Sequence, residues 1–463
     1  MSKILLIAPP YETLYGGSNI KKLQWGFIPY GIASIGGKLR SEGHKVRIVD
    51  VTWSLKNLYE LKDIIRDESP DYMGVSVTTP QVVVSLEICK MAKRIKPDCT
   101  IIVGGPHASA LPEEMLLNKD IDIVVYGEGE VTMSLIARGA DLPLIKGVYY
   151  RDKGVIVKNE PQPLIEDLDS LPFPLYEQLP IERYGTPYMG RSVGIITGRG
   201  CPCNCTFCAS KIMFGKKYRF RNVASILKEI LWFKQKYGIL IFSFWDDTFT
   251  INKKEVENLC VQLIENRVNI KWSCTTRVDA ISRGLLGLMK KAGCFIVHLG
   301  IESGDEVVLN KTRKGITLRQ AEAAVKCVRE LQIEAYGYFI LGLPYETKQT
   351  LRRTIEFAKK LKLDYAQFSL LTPLPGTEIW DLAKEGRILR LTTSDFARFN
   401  RYGKAVIELP GLTSEELNKY YKKAYIEFYF RWKYVLQVSR KINSLKSIIR
   451  YFKMLLNFLK FLF

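Results

Sequence analysis

The chain has 463 residues, 47% of them hydrophobic, so two or three domains with sizeable cores are within reach. Ten cysteines in that length do not make a disulfide scaffold, which excludes the small secreted classes and leads us to expect a cytoplasmic protein. The formal net charge is +20, but eight basic residues and no acidic one fall between Phe428 and Phe463, so much of the excess is local and no nucleic-acid module is expected.

The opening run MSKILLIAPPYE is too short and lacks the cleavage-like site of a signal peptide. No run reaches the roughly 20 apolar residues that a spanning helix needs. KILLIAPP reads as a buried strand closed by prolines, and YGIASIGGKLRSEG as a helix ending at Gly43. Strand HKVRIVDV, helix NLYELKDIIRDES, strand DYMGVSVTT, helix VVVSLEICKMAKRIKP and strand CTIIVGGPH follow. A short helix, LPEEMLLN, precedes IDIVVYGEGE. This alternation over 1–140 predicts a doubly wound parallel sheet of the Rossmann type, with ligands outside the carboxyl ends of its strands. Residues 141–191 read as a hairpin around Lys153 and Gly154, then a linker rich in proline and acid.

A second alternation occupies 192–380, with strands SVGIITG, LIFSFWDD, IKWSCTT, FIVHLGIE, AYGYFILG and YAQFSLLT separated by helical patterns. The expected fold is a partial (β/α)6 barrel of the TIM type, with its chemistry at the strands' carboxyl ends. Residues 381–463 are expected to be helical, with a Ser414 cap and a basic amphipathic tail. In that tail Leu445, Ile448, Ile449, Phe452, Leu455, Leu456 and Leu459 recur at helical spacing, with Lys446, Arg450, Lys453 and Lys460 largely off the stripe. Such a helix can lie on an anionic membrane surface or pack on its own barrel.

Cys201, Cys205 and Cys208 follow a C-x3-C-x2-C spacing, and Cys203 falls between them. Three thiolates on one loop can hold three irons of a 4Fe–4S cluster and leave the fourth iron open. Four sulfurs could instead close a zinc site, as in a zinc-stabilised RNA-binding or scaffold protein, and a redox role is a third option. The six other cysteines, Cys89, Cys99, Cys260, Cys274, Cys294 and Cys327, read as small buried hydrophobes.

Cys201, Cys205, Phe207 and Cys208 after the first barrel strand resemble the radical SAM superfamily. The resemblance implies reductive cleavage of S-adenosylmethionine to a 5′-deoxyadenosyl radical, under anaerobic conditions and with an external electron donor such as flavodoxin or ferredoxin. VHLGIESG resembles the segment that contacts the SAM ribose, which implicates Gly300, Glu302, Ser303 and Gly304. GYFILGLPYET resembles the segment near adenine and implicates Gly342, while Arg277 and Asp246 stand where SAM-side polar residues would.

Residues 1–140 resemble the cobalamin-binding domain that precedes many such barrels, on IPYGIASIGGKLRSEGHKVRIVD, SVTTP, IIVGGPHAS and YGEGE. The matching small residues are Ser76, Thr78, Gly104, Gly105 and Gly127. A D-x-H-x-x-G motif is absent, and His44, His107 and His298 lack its context, so the resemblance implies cobalamin without a histidine ligand to cobalt. His107 is expected to be a loop hydrogen-bonder. The implied function is a cobalamin-dependent C-methyltransferase acting on an unactivated carbon of a small-molecule or lipid substrate, such as an isoprenoid. The alternative enzyme is an oxidative cyclase resembling the anaerobic magnesium-protoporphyrin ester cyclases. The tail adds an expected peripheral contact with the inner face of the cell membrane.

Overall fold

The computed structural model describes residues 1–10, 26–51, 57–186, 189–400, 403–432, 434 and 436. The basic tail stripe from Leu445 to Leu459 and the YETLYGG loop after the first strand lie outside the described residues.

The first sheet has seven strands: β1 (Lys3–Ala8), β2 (Lys45–Asp50), β3 (Tyr72–Ser76), β4 (Thr100–Gly104), β5 (Ile123–Val125), β6 (Val148–Asp152) and β7 (Val155–Lys158). Their spatial order is β2-β1-β3-β4-β5-β6-β7, with the first five parallel. Period-2 alternation sends neighbouring apolar side chains to opposite faces. Leu5 and Ile7 pack on the face covered by α2 (Asn57–Glu68) and α3 (Val82–Ile95). Ile4 and Leu6 pack on the other face, with α1 (Tyr30–Ser41) and α4 (Gly129–Ala137), in a core that runs on into the second sheet. Helix α4 was not anticipated, because the glycines of YGEGE read only as a loop.

The 141–191 segment is more tightly built in than its composition suggests. Its hairpin turns at Lys153 and Gly154 as expected, but β6 pairs antiparallel with β5 and extends the front sheet. The proline-rich stretch is packed rather than loose. Leu175, Tyr176, Leu179 and Ile181 are buried, and the Leu175 N–H donates to the Ala33 carbonyl at 2.8 Å.

The second sheet has six parallel strands in chain order: β8 (Val193–Ile195), β9 (Ile241–Phe244), β10 (Lys271–Arg277), β11 (Cys294–Glu302), β12 (Glu334–Leu341) and β13 (Tyr365–Leu370). Helices α5 (Val223–Tyr237), α6 (Lys253–Glu265), α7 (Arg283–Lys291), α8 (Leu318–Glu330) and α9 (Lys348–Lys360) connect them, and α10 (Glu378–Glu385) follows. This is the partial barrel. Helix α8 shows why such segments fold: Thr317 and Gln320 form a capping box, and Ala321, Ala324, Val325 and Val328 give one buried stripe.

An incomplete barrel leaves an exposed strand edge, with backbone groups that need partners. At β13 the side chains of a last helix, α11 (Ser414–Tyr429), supply them. Tyr429 Oη accepts from the Ala366 N–H at 3.1 Å and donates to the Ala366 carbonyl at 2.8 Å. Tyr425 donates to the Phe368 carbonyl at 2.9 Å, and Tyr434, beyond the helix, donates to the Asp364 carbonyl just before β13 at 3.1 Å. The cap of α11 is Thr413, boxed with Glu416, so the expected Ser414 cap is displaced by one residue: Ser414 is already helical. Five of the scattered cysteines are buried, as expected of small hydrophobes, while Cys327 is only half-buried. Among the described residues no helix is long and apolar enough to cross a membrane.

The Tyr429→Phe substitution keeps the ring and strands both backbone groups of Ala366. The expected loss of folding stability in chemical denaturation is about 1–3 kcal/mol.

Candidate functional site

The cysteine loop starts where β8 ends. Gly198 and Arg199 pair antiparallel with Phe220 and Arg219, closing the loop into a short two-stranded neck. Asp246, just past the end of β9, is 2% exposed and fastens the neck. Its carboxylate accepts from the Thr197 N–H at 3.0 Å, the Thr197 hydroxyl at 2.8 Å and the Gly198 N–H. Burial pushes this carboxyl up to about 7, against those hydrogen bonds. The neighbouring Asp247 turns the other way and accepts from Ser210.

Cys201, Cys205, Cys208 and Phe207 open onto a cleft, together with Cys203, Asp247, Thr248, Arg277, Gly300, Glu302, Lys314 and Tyr338. Arg277, at the end of β10, lies in register with Gly300 of β11. Its guanidinium is held by Asp279 at 2.8 and 2.9 Å and by the Lys314 carbonyl at 2.8 Å, and Nη1 stands 3.9 Å from Cys205 Sγ. Glu302 sits at a bulge in β11 with φ of +68°, a strained value for a residue with a side chain. The bulge re-aims its carboxylate into the cleft, where Lys314 Nζ binds Oε1 at 2.7 Å. A Cβ on Gly300 would stand 2.7 Å from both of those atoms, so a side chain there would have to displace the Glu302–Lys314 pair.

The thiols differ in their environments. Burial raises Cys205 against the nearby Lys314 and Arg277, and raises Cys208 to about 11. A hydrogen bond from Cys203 lowers Cys201. The donor set fits an iron–sulfur cluster: three thiols on one wall of an open cleft, beside two cations that offset thiolate charge. Among the described residues no group of three His, Cys, Asp or Glu side chains is arranged to hold a single ion.

Four residues singled out from the sequence stand outside the cleft lining. Asp246 braces the cysteine loop from beneath. Ser303 is fully buried, with Oγ 3.2 Å from Thr354 Oγ1 of α9. Gly304 packs on α9, where a Cβ would fall 2.7 Å from Thr354 Cα and Phe357 Cβ. Gly342 faces Ile407 and Leu417. In each case close packing takes up the position. Lys314 was missed, since nothing in KTRKGIT marks it. Tyr338 had a signal, because in EAYGYFIL the polar or amphipathic Glu334, Tyr336 and Tyr338 alternate with Ala335, Gly337 and Phe339, and the structure half-buries the first set and buries the second.

In the front sheet, Ser76 and Gly104 end β3 and β4, with Thr78 and Gly105 just beyond. Gly105 has φ of +94°, and a Cβ there would stand 3.0 Å from the Val77 backbone. Gly127 has φ of +77°, with open space where a Cβ would point. His107 is buried, with Nδ1 3.2 Å from Thr79 Oγ1, but it stands in the short helix Pro106–Ala110 rather than in a loop.

Between the sheets lies a buried ion cluster that sequence reading did not find. Glu128 binds Arg199 at 3.0 Å and Arg219 at 2.8 Å, and Glu130 binds Arg199 at 2.6 Å. All four residues are 4% exposed. Burial alone would raise the Glu130 carboxyl, but the Arg199 charge and hydrogen bonds from Arg199 and Ser34 hold it below its ordinary value.

The pattern of the radical SAM superfamily matches residues 195–358, and that of the B12 binding domain matches residues 22–137. The chain is 36% identical over 445 residues to an uncharacterised methyltransferase of Pyrococcus horikoshii, covering 94% of each chain. It is 29% identical to the anaerobic magnesium-protoporphyrin IX monomethyl ester cyclase of Rubrivivax gelatinosus, over 90% of this chain and 80% of that one. Its fold is similar to the radical S-adenosylmethionine methyltransferase TsrM of Kitasatospora setae, with a TM-score of 0.73 at 20% identity, over 92% of this chain and 91% of that one.

Asp246 titrates higher folded than unfolded, so its contribution favours the fold at low pH and is lost as pH rises from about 4 to about 7. Asn keeps an acceptor and removes the charge. The stability of Asp246→Asn relative to the parent, measured by thermal melts in a pH series, is expected to rise across that window and level off above it.

Proposed function

Because this chain belongs to the cobalamin-dependent radical SAM methyltransferase family, we propose that Cys201, Cys205 and Cys208 each bind one iron of its 4Fe–4S cluster. Its cofactors are that cluster, S-adenosylmethionine and cobalamin. The reaction we assign is methylation of an unactivated carbon. The observation that carries this reading is the convergence of three thiols, Arg277, Glu302 and Lys314 on one cleft.

When bound, the cluster supplies the single electron for sulfonium cleavage, and cobalamin supplies a transferable methyl group. The residues of the chain bind and orient. Arg277, fixed by Asp279, offers a cation to the SAM carboxylate beside Cys205. Lys314 pins one oxygen of Glu302 and leaves the other for ribose hydroxyls. Phe207 walls the nucleoside side. Ser76, Thr78, Gly104, Gly105 and Gly127 lie at or just past the ends of β3, β4 and β5, where cobalamin would bind, and Gly127 leaves open space there. The external electron donor is a small flavodoxin- or ferredoxin-like protein.

A lipid or isoprenoid substrate is favoured by the chain's end. Phe430 is 49% and Trp432 72% exposed beyond α11, just where the eight-cation segment begins. Aromatic stem and basic tail suit the inner face of an anionic membrane.

In anaerobically reconstituted protein, Cys201→Ala, Cys205→Ala and Cys208→Ala are each expected to lose iron, brown colour and turnover, and Cys203→Ala to keep them. Catalysis surviving the three ligand changes would end this reading. Mass analysis should find S-adenosylhomocysteine alongside 5′-deoxyadenosine, whereas 5′-deoxyadenosine alone would favour the cyclase alternative. Sedimentation with phosphatidylglycerol vesicles is expected to fall with salt and to vanish when residues 440–463 are removed. Equal binding after removal would refute the membrane role.

A further inference from the structure

The loop after β5 faces two ways. Gly127 has an open side among the front sheet's ligand loops. The next residue, Glu128, is buried against Arg199 and Arg219. Arg199 stands two positions before Cys201 in the chain. A second bridge meets the far end of the cysteine loop. The Gly127 N–H donates to Ser109 Oγ at 3.0 Å, and the Ser109 hydroxyl lies 3.3 Å from Met213 Sδ in the turn of helix Ser210–Phe214. The two ends are also tied to each other. The Arg199 guanidinium lies 5.5 Å from the Phe214 ring, and Arg219 Nη2 donates to the Phe214 carbonyl at 3.0 Å.

One loop of the front sheet thus grips the cysteine loop before its first thiol and after its last. We propose that Glu128 is a positioning residue, transmitting the state of the Gly127 loop through Arg199 to the cysteine loop, so that an occupied front sheet sets how well the barrel binds S-adenosylmethionine. This rests on the reading that the front loops hold cobalamin and the three cysteines hold the cluster. The physical basis is directional. A carboxylate shared by two buried guanidiniums has no water to replace a lost bond, so a shift of the Gly127 loop must carry Arg199 with it. Apolar packing between the same loops could slide instead.

The test is reciprocal binding on the full, reconstituted chain, measured by equilibrium dialysis of S-adenosylmethionine with and without hydroxocobalamin. Iron content and bound cobalamin are read from the same samples. In the parent protein hydroxocobalamin is expected to tighten S-adenosylmethionine by about fivefold or more, the lower end of ordinary coupling between sites. Glu128→Gln should bring that ratio to near one while iron and bound cobalamin stay at parent levels. Should Glu128→Gln fail to fold, Arg199→Lys decides, since it keeps the charge and removes the fork. A parent ratio near one, or an undiminished ratio in Arg199→Lys with both cofactors retained, overturns the proposal and leaves the assigned function standing. A parent protein that takes up no iron or no cobalamin overturns the assigned function and this proposal together. A purely structural role for Glu128 would lower cofactor content and leave the ratio of the loaded fraction unchanged.

Discussion

Four charges buried between two sheets hold this molecule to one arrangement. Glu128 and Glu130 come from the front sheet's last loop and helix, Arg199 and Arg219 from the neck of the cysteine loop. Such a group gains little over a well-packed apolar contact, because desolvating the ions consumes most of their attraction. Removing one member is another matter, since an uncompensated buried charge costs about 3–5 kcal/mol. The cluster therefore acts more as a lock on register than as a source of stability. Ser34 from α1, the Ile165 N–H from the connecting segment and the Phe214 carbonyl from the cysteine loop add further hydrogen bonds, while Arg219 Nε is left without one. Each of these elements is thereby tied to the same point. A second pair, Arg221 with Glu229 at 2.6 Å, is tied to Tyr176 of the proline-rich strap and extends the lock along the barrel's outer face.

What could be read from the chain was what short-range pattern encodes. Alternation and helical spacing located the strands of both sheets, and the spacing of Cys201, Cys205 and Cys208 pointed to their chemistry. Partners far apart in sequence were not legible. Arg199 meets Glu130 across 69 positions, and nothing in either neighbourhood announces the other. Glu128 and Glu130 stood in a motif read only for its glycines. The same blindness affected Ser303 and Gly304. Their segment does reach the cleft, through Gly300 and Glu302, but the chain turns at the bulge, and the next two residues face α9 instead. A bulge changes which face each residue takes, and a period of two cannot foresee it.

The incomplete barrel has a related consequence. Six strands do not close, so one edge needs backbone partners, and α11 provides them through tyrosines four residues apart. The rings of Tyr425 and Phe428 also pack on Phe368 of that edge strand, so one helix supplies both apolar cover and hydrogen bonds. The sequence marked this segment only as helical. That its tyrosines serve as backbone caps follows only once β13 is known to be an edge.

The electrostatics of the cleft follow from how these supports meet. Burial raises the Cys205 and Cys208 thiols above their ordinary range. Ligation to iron needs thiolates, so loading the site must release protons, and groups that favour negative charge lower that cost. Arg277 and Lys314 stand where they do this for Cys205. Neither is free to move: Asp279 and the Lys314 carbonyl fix the guanidinium, and Glu302 fixes the ammonium. Fixed cations lose little on reorganising when a thiolate or a ligand carboxylate arrives, and in a partly dry cleft their attraction exceeds what water would allow. The strained backbone at Glu302 belongs to the same design, because a straight strand would turn that carboxylate away and leave Lys314 buried without its counter-ion.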